Sequence, residues 1–176
     1  MQGEVPADVI ERHHTATAYI VAEDRTLLLW HPNLRMWLPP GGHCELNEDP
    51  VQAAIREAFE ETAIRVAVIP PPDLLVCEGP AVLPPPAVIL IEDIVRSDQP
   101  FHQHIDHVYF TRPLAPVDID APLLDAQPSR WLRADELRHA FSLEAPDGTL
   151  LPVAEDVRLL GIRAIAAAAA SEPLHA

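Results

Sequence analysis

Glu57, Glu60 and Glu61 stand within one short segment, REAFEETAI from Arg56 to Ile64. At about 100° per residue these carboxylates share a single arc of a helix. Like charges so placed repel one another, so the crowding needs an offset. The plain alternative is a solvated acidic face, but two features argue for more. Arg56 can pair with Glu60 one turn on, or fold back to Glu48 in the preceding loop. Gly41 and Gly42 lie just upstream, where a Gly-Gly turn could aim a free carbonyl at the same spot. Hard carboxylate and carbonyl oxygens suit Mg²⁺ or Mn²⁺ better than zinc.

These groups need a helix and a sheet to hold them. Asp49 is placed to cap a helix whose first position is Pro50. Val51, Ala54, Ile55, Ala58, Phe59 and Thr62 then fall on one apolar arc, which predicts packing against a sheet with the acidic face outward. β-Branched and aromatic runs predict strands at 15–22, 26–30, 65–69, 87–95, 105–111 and 129–132, the first two as a hairpin. Residues 31–37, 70–86 and 113–128 read as loops, the second of them rich in proline. A helix is expected near 135–141, and a final amphipathic helix from Pro152 with Val153, Val157, Leu160 and Ile165 as its stripe. Strands on both sides of a helix, with more helix at the end, indicate an α/β sandwich. The expected organisation is an N-terminal arm (1–13), one domain (14–170) and a short tail (171–176).

The stretch from Gly42 to Ile64 resembles the Nudix box, G-x5-E-x7-R-E-U-x-E-E-x-G-U with U a bulky apolar residue. Gly42, Glu48, Arg56-Glu57 and Glu60-Glu61 match in type and spacing; Ala58 is a small member of its class, and Ala63 replaces the family glycine. The resemblance is to the Nudix hydrolase superfamily. It implies a mixed β-sheet packed between the box helix and a C-terminal helix. It also implies metal-dependent hydrolysis of a diphosphate linkage in a nucleoside diphosphate joined to another group. In that reading Glu60 and Glu61 ligate the cation and Glu57 is a further ligand or the base. The Gly41 carbonyl adds a ligand, Arg56 orients the glutamates, and Glu48 supports the loop. The rival is a Nudix-fold sensor module that binds without turnover, for which three adjacent glutamates are not required. Isomerisation of an allylic diphosphate on the same fold has no residue to support it.

His102-Gln103-His104-Ile105-Asp106-His107 spells HxHxDH, which resembles the zinc motif of metallo-β-lactamases. That family runs from strand into a Gly-rich loop and helix, whereas here Val108 to Thr111 continues a strand, so zinc hydrolysis is disfavoured and no stoichiometric zinc is expected. Strand alternation instead places His104 and Asp106 on one face, where they could line a substrate pocket, and His107 and Tyr109 on the other. Arg35, before the box, is a candidate phosphate ligand, and Asp125 a candidate distal acid for the metal; Trp131 reads as core.

Composition narrows the partners. The chain has 176 residues and a formal charge of −15, and its basic residues are all arginine. With no basic run, binding to nucleic-acid polymers or anionic membranes is disfavoured, while a cation-assisted small polyphosphate remains compatible. Cys44 and Cys77 form no disulfide framework, and the N-terminus lacks an apolar signal-like segment, so a cytoplasmic protein is expected.

Overall fold

The computed structural model describes residues 10–123, 127–139 and 142–171. Among the described residues, ten strands and three helices follow one another: β1 (Arg12–Ala22), β2 (Arg25–His31), β3 (Met36–Leu38), β4 (Gly41–His43), α1 (Pro50–Thr62), β5 (Val66–Val68), β6 (Val88–Ile94), β7 (His102–Pro113), β8 (Ser129–Arg133), α2 (Ala134–His139), β9 (Ser142–Glu144), β10 (Leu150–Pro152) and α3 (Glu155–Ala170). The main sheet has eight strands in the order β3-β2-β1-β7-β5, with β4 on β1, β6 on β7 and β8 on β2. β1 and β7 run parallel while the other pairs are antiparallel, so the sheet is mixed.

Alternation along β1 divides the two layers. Ala16, Ala18 and Ile20 face α1 and pack with Ala53, Ala54, Ala58 and Tyr109. Tyr19 and Val21 face the other way, onto Val108, Phe110 and the α3 residues Leu160 and Ala164. The result is the expected α/β/α sandwich. Gly161 lets α3 come close: a Cβ there would lie 2.9 Å from Leu137 Cδ1 and 3.1 Å from Thr26 Cγ2.

Several local expectations change. β1 starts at Arg12 because its parallel register with β7 extends back to Arg12↔Gln103 and His13↔His104. For the same reason β7 starts at His102 instead of Ile105. β3 forms within the expected 31–37 loop and Leu38, and β9 and β10 make a small separate hairpin. Pro152 closes β10, and α3 begins at Glu155. Gly41 and Gly42 are not a turn but part of edge strand β4, paired with Thr17 and Ala16 of β1.

Candidate active site

α1 starts as the sequence predicts. The Asp49 carboxylate accepts from the Val51 and Gln52 N–H groups, and Gln52 Oε1 accepts from the Asp49 N–H, a reciprocal cap with Pro50 in the first turn. The helix ends at Ala63, whose φ of 58° is left-handed and whose N–H reaches the Phe59 carbonyl at 2.8 Å. Alanine therefore occupies the conformation that the family pattern reserves for glycine.

The buried face of α1 is Ala53, Ala54, Ala58 and Thr62. Small side chains let the helix lie close on β1, and that sets its roll. Phe59 is turned out, 42% exposed, with the Arg65 guanidinium 4.8 Å over its ring, which corrects its assignment to the apolar face. The same roll turns Glu57 and Glu61 inward to the β4 glycines, leaving Glu60 the more exposed carboxylate. The expectation of an outward acidic face is thus overturned for those two residues.

β4 supplies the complementary groups. In an antiparallel ladder alternate residues point their N–H and C=O away from the partner strand. Pro40, Gly42 and Cys44 pair with β1, so the polar groups of Gly41 and His43 face away from it. The Gly41 N–H donates to Glu61 Oε2 at 3.2 Å, and the His43 carbonyl accepts from Arg56 Nη2 at 2.9 Å. The Gly41 carbonyl is directed to the same side of the strand. Gly42 makes room for the cluster. A Cβ on it would sit 2.3 Å from Glu57 Oε1, so only glycine leaves that carboxylate its place.

Arg56 ties the cluster together. Its Nε and Nη2 donate to the two oxygens of Glu48, each at 3.0 Å, while Nη1 donates to Glu57 Oε1 at 2.8 Å and Glu60 Oε2 at 3.0 Å. This fork engages three carboxylates and a carbonyl, a pattern that a lysine could not reproduce. The Arg56 pairing holds the Glu48 carboxyl below its usual range. Burial, followed by the Glu57 and Glu60 charges, pushes the Glu61 carboxyl up against the opposing effect of the Gly41 N–H. The Glu57, Glu60 and Glu61 carboxylates and the edge carbonyl of Gly41 are hard oxygen donors of the kind that Mg²⁺ or Mn²⁺ takes.

Two cavities meet at Gly41. One of about 250 Å³ is lined by Glu60, Glu61, Trp30 and Gln127 among others. The other, about 460 Å³, lies on the α3 side of the sheet and takes in Thr17, His104, Asp106, Val108 and Leu160. Leu38, Pro39 and Gly41 line both.

The remaining candidates separate. His104 and Asp106 do share the cavity face of β7, while His107 lies on the other face, its Nε2 at 2.9 Å from His14 Nδ1. Asp106 is 4% exposed and accepts from Thr15 and Thr17; burial pushes its carboxyl up. Arg35 stands at a left-handed position, φ 53°, and pairs with Asp147 at 2.9 Å. That contact ties the β2–β3 turn to the β9–β10 hairpin and does not join Arg35 to the glutamates. Asp125 lies outside the described residues. Trp131 is buried, as expected. Sequence reasoning missed His13 and His43, which approach His104 only because β1, β4 and β7 are neighbours.

Known proteins share the family and the fold of this chain. The family model for the NUDIX domain matches residues 11–154. A solved structure described as a hydrolase of the NUDIX family from Clostridium perfringens is 28% identical, with a TM-score of 0.69 over 89% of this chain and 98% of that one. A MutT protein from Methanosarcina mazei shares the fold at 15% identity and a TM-score of 0.53, covering 88% of this chain and 94% of that one. A probable DHNTP pyrophosphohydrolase of Lactococcus lactis subsp. cremoris is 44% identical over 48 residues, only 27% of this chain and 29% of that relative. Among the described residues no helix is long and apolar enough to cross a membrane.

Proposed function

The chain belongs to the NUDIX domain family, and we propose that it is a metal-dependent pyrophosphohydrolase acting on a nucleoside diphosphate joined to another group. The observation that supports this most directly is the Arg56 fork, which gathers Glu48, Glu57 and Glu60 beside the β4 glycines. A solvated acidic face has no need of a glycine that makes room for Glu57 or an edge N–H that fixes Glu61.

Glu57, Glu60, Glu61 and the Gly41 carbonyl would hold Mg²⁺ or Mn²⁺. Such an ion, when bound, neutralises diphosphate charge and makes water more acidic. Arg56 keeps the carboxylates in register, and Glu48 anchors Arg56 from the loop side. Glu57, either as a ligand or as the base, is held over Gly42 by Arg56. A water oxygen would form a bond to one phosphorus, the bridging P–O bond would break with its electron pair leaving on the departing phosphate, and Glu57, where it serves as the base, would take the water proton. The smaller cavity suits the phosphates beside Glu60 and Glu61, and the larger one suits the attached group, with Gly41 between them. Free Cys44 and Cys77 and an acidic chain are compatible with a small-molecule enzyme of the cytoplasm.

The test is a panel of nucleotides, dinucleotide cofactors and nucleotide sugars, assayed with Mg²⁺ and Mn²⁺ and again in EDTA. Hydrolysis at the diphosphate that EDTA abolishes is the expected result. Tight binding with no turnover of any diphosphate would favour the sensor reading instead.

A further inference from the structure

On the α3 side of the sheet, away from the glutamates, three strands bring three histidines together. His13 comes from β1, His43 from β4 and His104 from β7. One ring nitrogen from each lies within 4.8 Å of the other two. Their backbones are fixed by register: His13 pairs with His104 across β1 and β7, and His43 pairs with Thr15 two residues along β1. The rings pack against one another, His43 on His104 at 4.8 Å and on His13 at 5.4 Å between centroids.

Two further observations concern the ring nitrogens. His104 Nε2 is buried with no hydrogen-bond partner among the described residues, although buried polar atoms ordinarily have one. Its other nitrogen, Nδ1, stands 4.0 Å from Glu92 Oε2, and His13 Nε2 stands 3.0 Å from Glu11 Oε1. Histidine ligands commonly use one nitrogen for the metal and give the other to a carboxylate, which fixes the tautomer. His13 has that carboxylate in place in Glu11, while Glu92 stands beside His104 beyond hydrogen-bond distance.

We propose that His13, His43 and His104 form a second metal site, for a zinc-like transition ion, with one coordination position open to the larger cavity. Imidazole nitrogens select such ions, whereas the oxygens around Glu57, Glu60 and Glu61 select Mg²⁺ or Mn²⁺, so the chain would sort two metals onto opposite sides of β4. Tetrahedral ligation with Zn–N bonds near 2 Å needs nitrogens about 3.3 Å apart. Closing from the present spacing takes ring shifts of roughly 1.5 Å or less, within the reach of histidine rotation. The expectation of no stoichiometric zinc considered the HxHxDH run alone. That run splits across β7, and its His104 finds ligand partners on β1 and β4 instead.

This proposal does not depend on the hydrolase reading. The untagged full chain is titrated with Co²⁺ in excess Mg²⁺, following the visible absorption of four-coordinate Co²⁺. One Co²⁺ per chain, bleached by one equivalent of Zn²⁺, is expected. His43→Ala, a change on an exposed edge side chain, and His104→Ala should each lose the band. His107→Ala, on the opposite sheet face, and Glu60→Gln should keep it. Zn²⁺ should raise the Tm of the parent chain but not of His43→Ala. Glu11→Gln should weaken Co²⁺ about 10-fold, since Glu11 holds the His13 ring. Absence of a four-coordinate band, its survival in both histidine variants, or its loss with Glu60→Gln would overturn the site.

Discussion

Gly42→Ala isolates the placement of one carboxylate from the stability of the fold. Gly42 lies in strand β4 and does not have a left-handed φ, so alanine fits the backbone there. The added methyl would stand 2.3 Å from Glu57 Oε1, 2.6 Å from Cδ and 3.0 Å from Oε2. These atoms belong to the end of a flexible side chain, which can retreat where backbone cannot. To reach ordinary contact the carboxylate must move by about 1 Å. That movement pulls Glu57 from the Arg56 Nη1 contact at 2.8 Å. A misplacement of about 1 Å at a reacting centre can cost roughly 100-fold in rate. We therefore expect turnover to fall by about that factor, with Tm in EDTA unchanged within about 2 °C. Steady-state hydrolysis on the best panel substrate and thermal melts in EDTA measure the two quantities. Parental turnover in Gly42→Ala would refute the assignment of Glu57 to the working cluster.

Gly41→Ala should behave in the opposite way. Its Cβ would meet the Ala16 carbonyl oxygen at 2.8 Å and Thr17 Cα at 3.0 Å, and this backbone cannot yield cheaply. Urea denaturation should show a loss of about 1–3 kcal/mol. Ala63→Gly should add about 0.5–1 kcal/mol in the same assay, since Ala63 carries a φ of 58° at the helix cap; a loss would contradict the left-handed cap. Arg56→Lys keeps the charge but breaks the fork to Glu48, Glu57 and Glu60. It should cost about 2 kcal/mol and lower turnover, while an unchanged KM-to-kcat pattern and melt would show the fork to be incidental.

The helix, its Asp49 cap and the common arc of Glu57, Glu60 and Glu61 are legible because each depends on residues within a turn or two. Gly41-Gly42 reads as a turn because nothing local distinguishes an edge strand from a turn; the pairing of Gly41 with Thr17 is long-range information. The roll of α1 escapes the sequence for a related reason. An apolar arc includes Phe59 by angle, but α1 packs through Ala53, Ala54 and Ala58 and turns Phe59 outward. The start of β1 and the company of His104 were both fixed by the β1–β7 register, which no stretch of either strand encodes alone. The β9–β10 hairpin consists of two three-residue strands, too short to show a period.

Turnover by the Glu57→Gln/Glu60→Gln/Glu61→Gln variant tests the central claim most directly. Glutamine keeps the shape of each side chain and removes the charge that a divalent cation requires. Arg56 retains its two contacts with Glu48, and the partly buried Glu61 charge is relieved, so the fold should melt within a few degrees of the parent in EDTA. With Mg²⁺ present, hydrolysis of the best diphosphate substrate should fall by orders of magnitude, and Mg²⁺ should no longer raise Tm. A folded triple variant that hydrolyses at the parental rate would contradict the account.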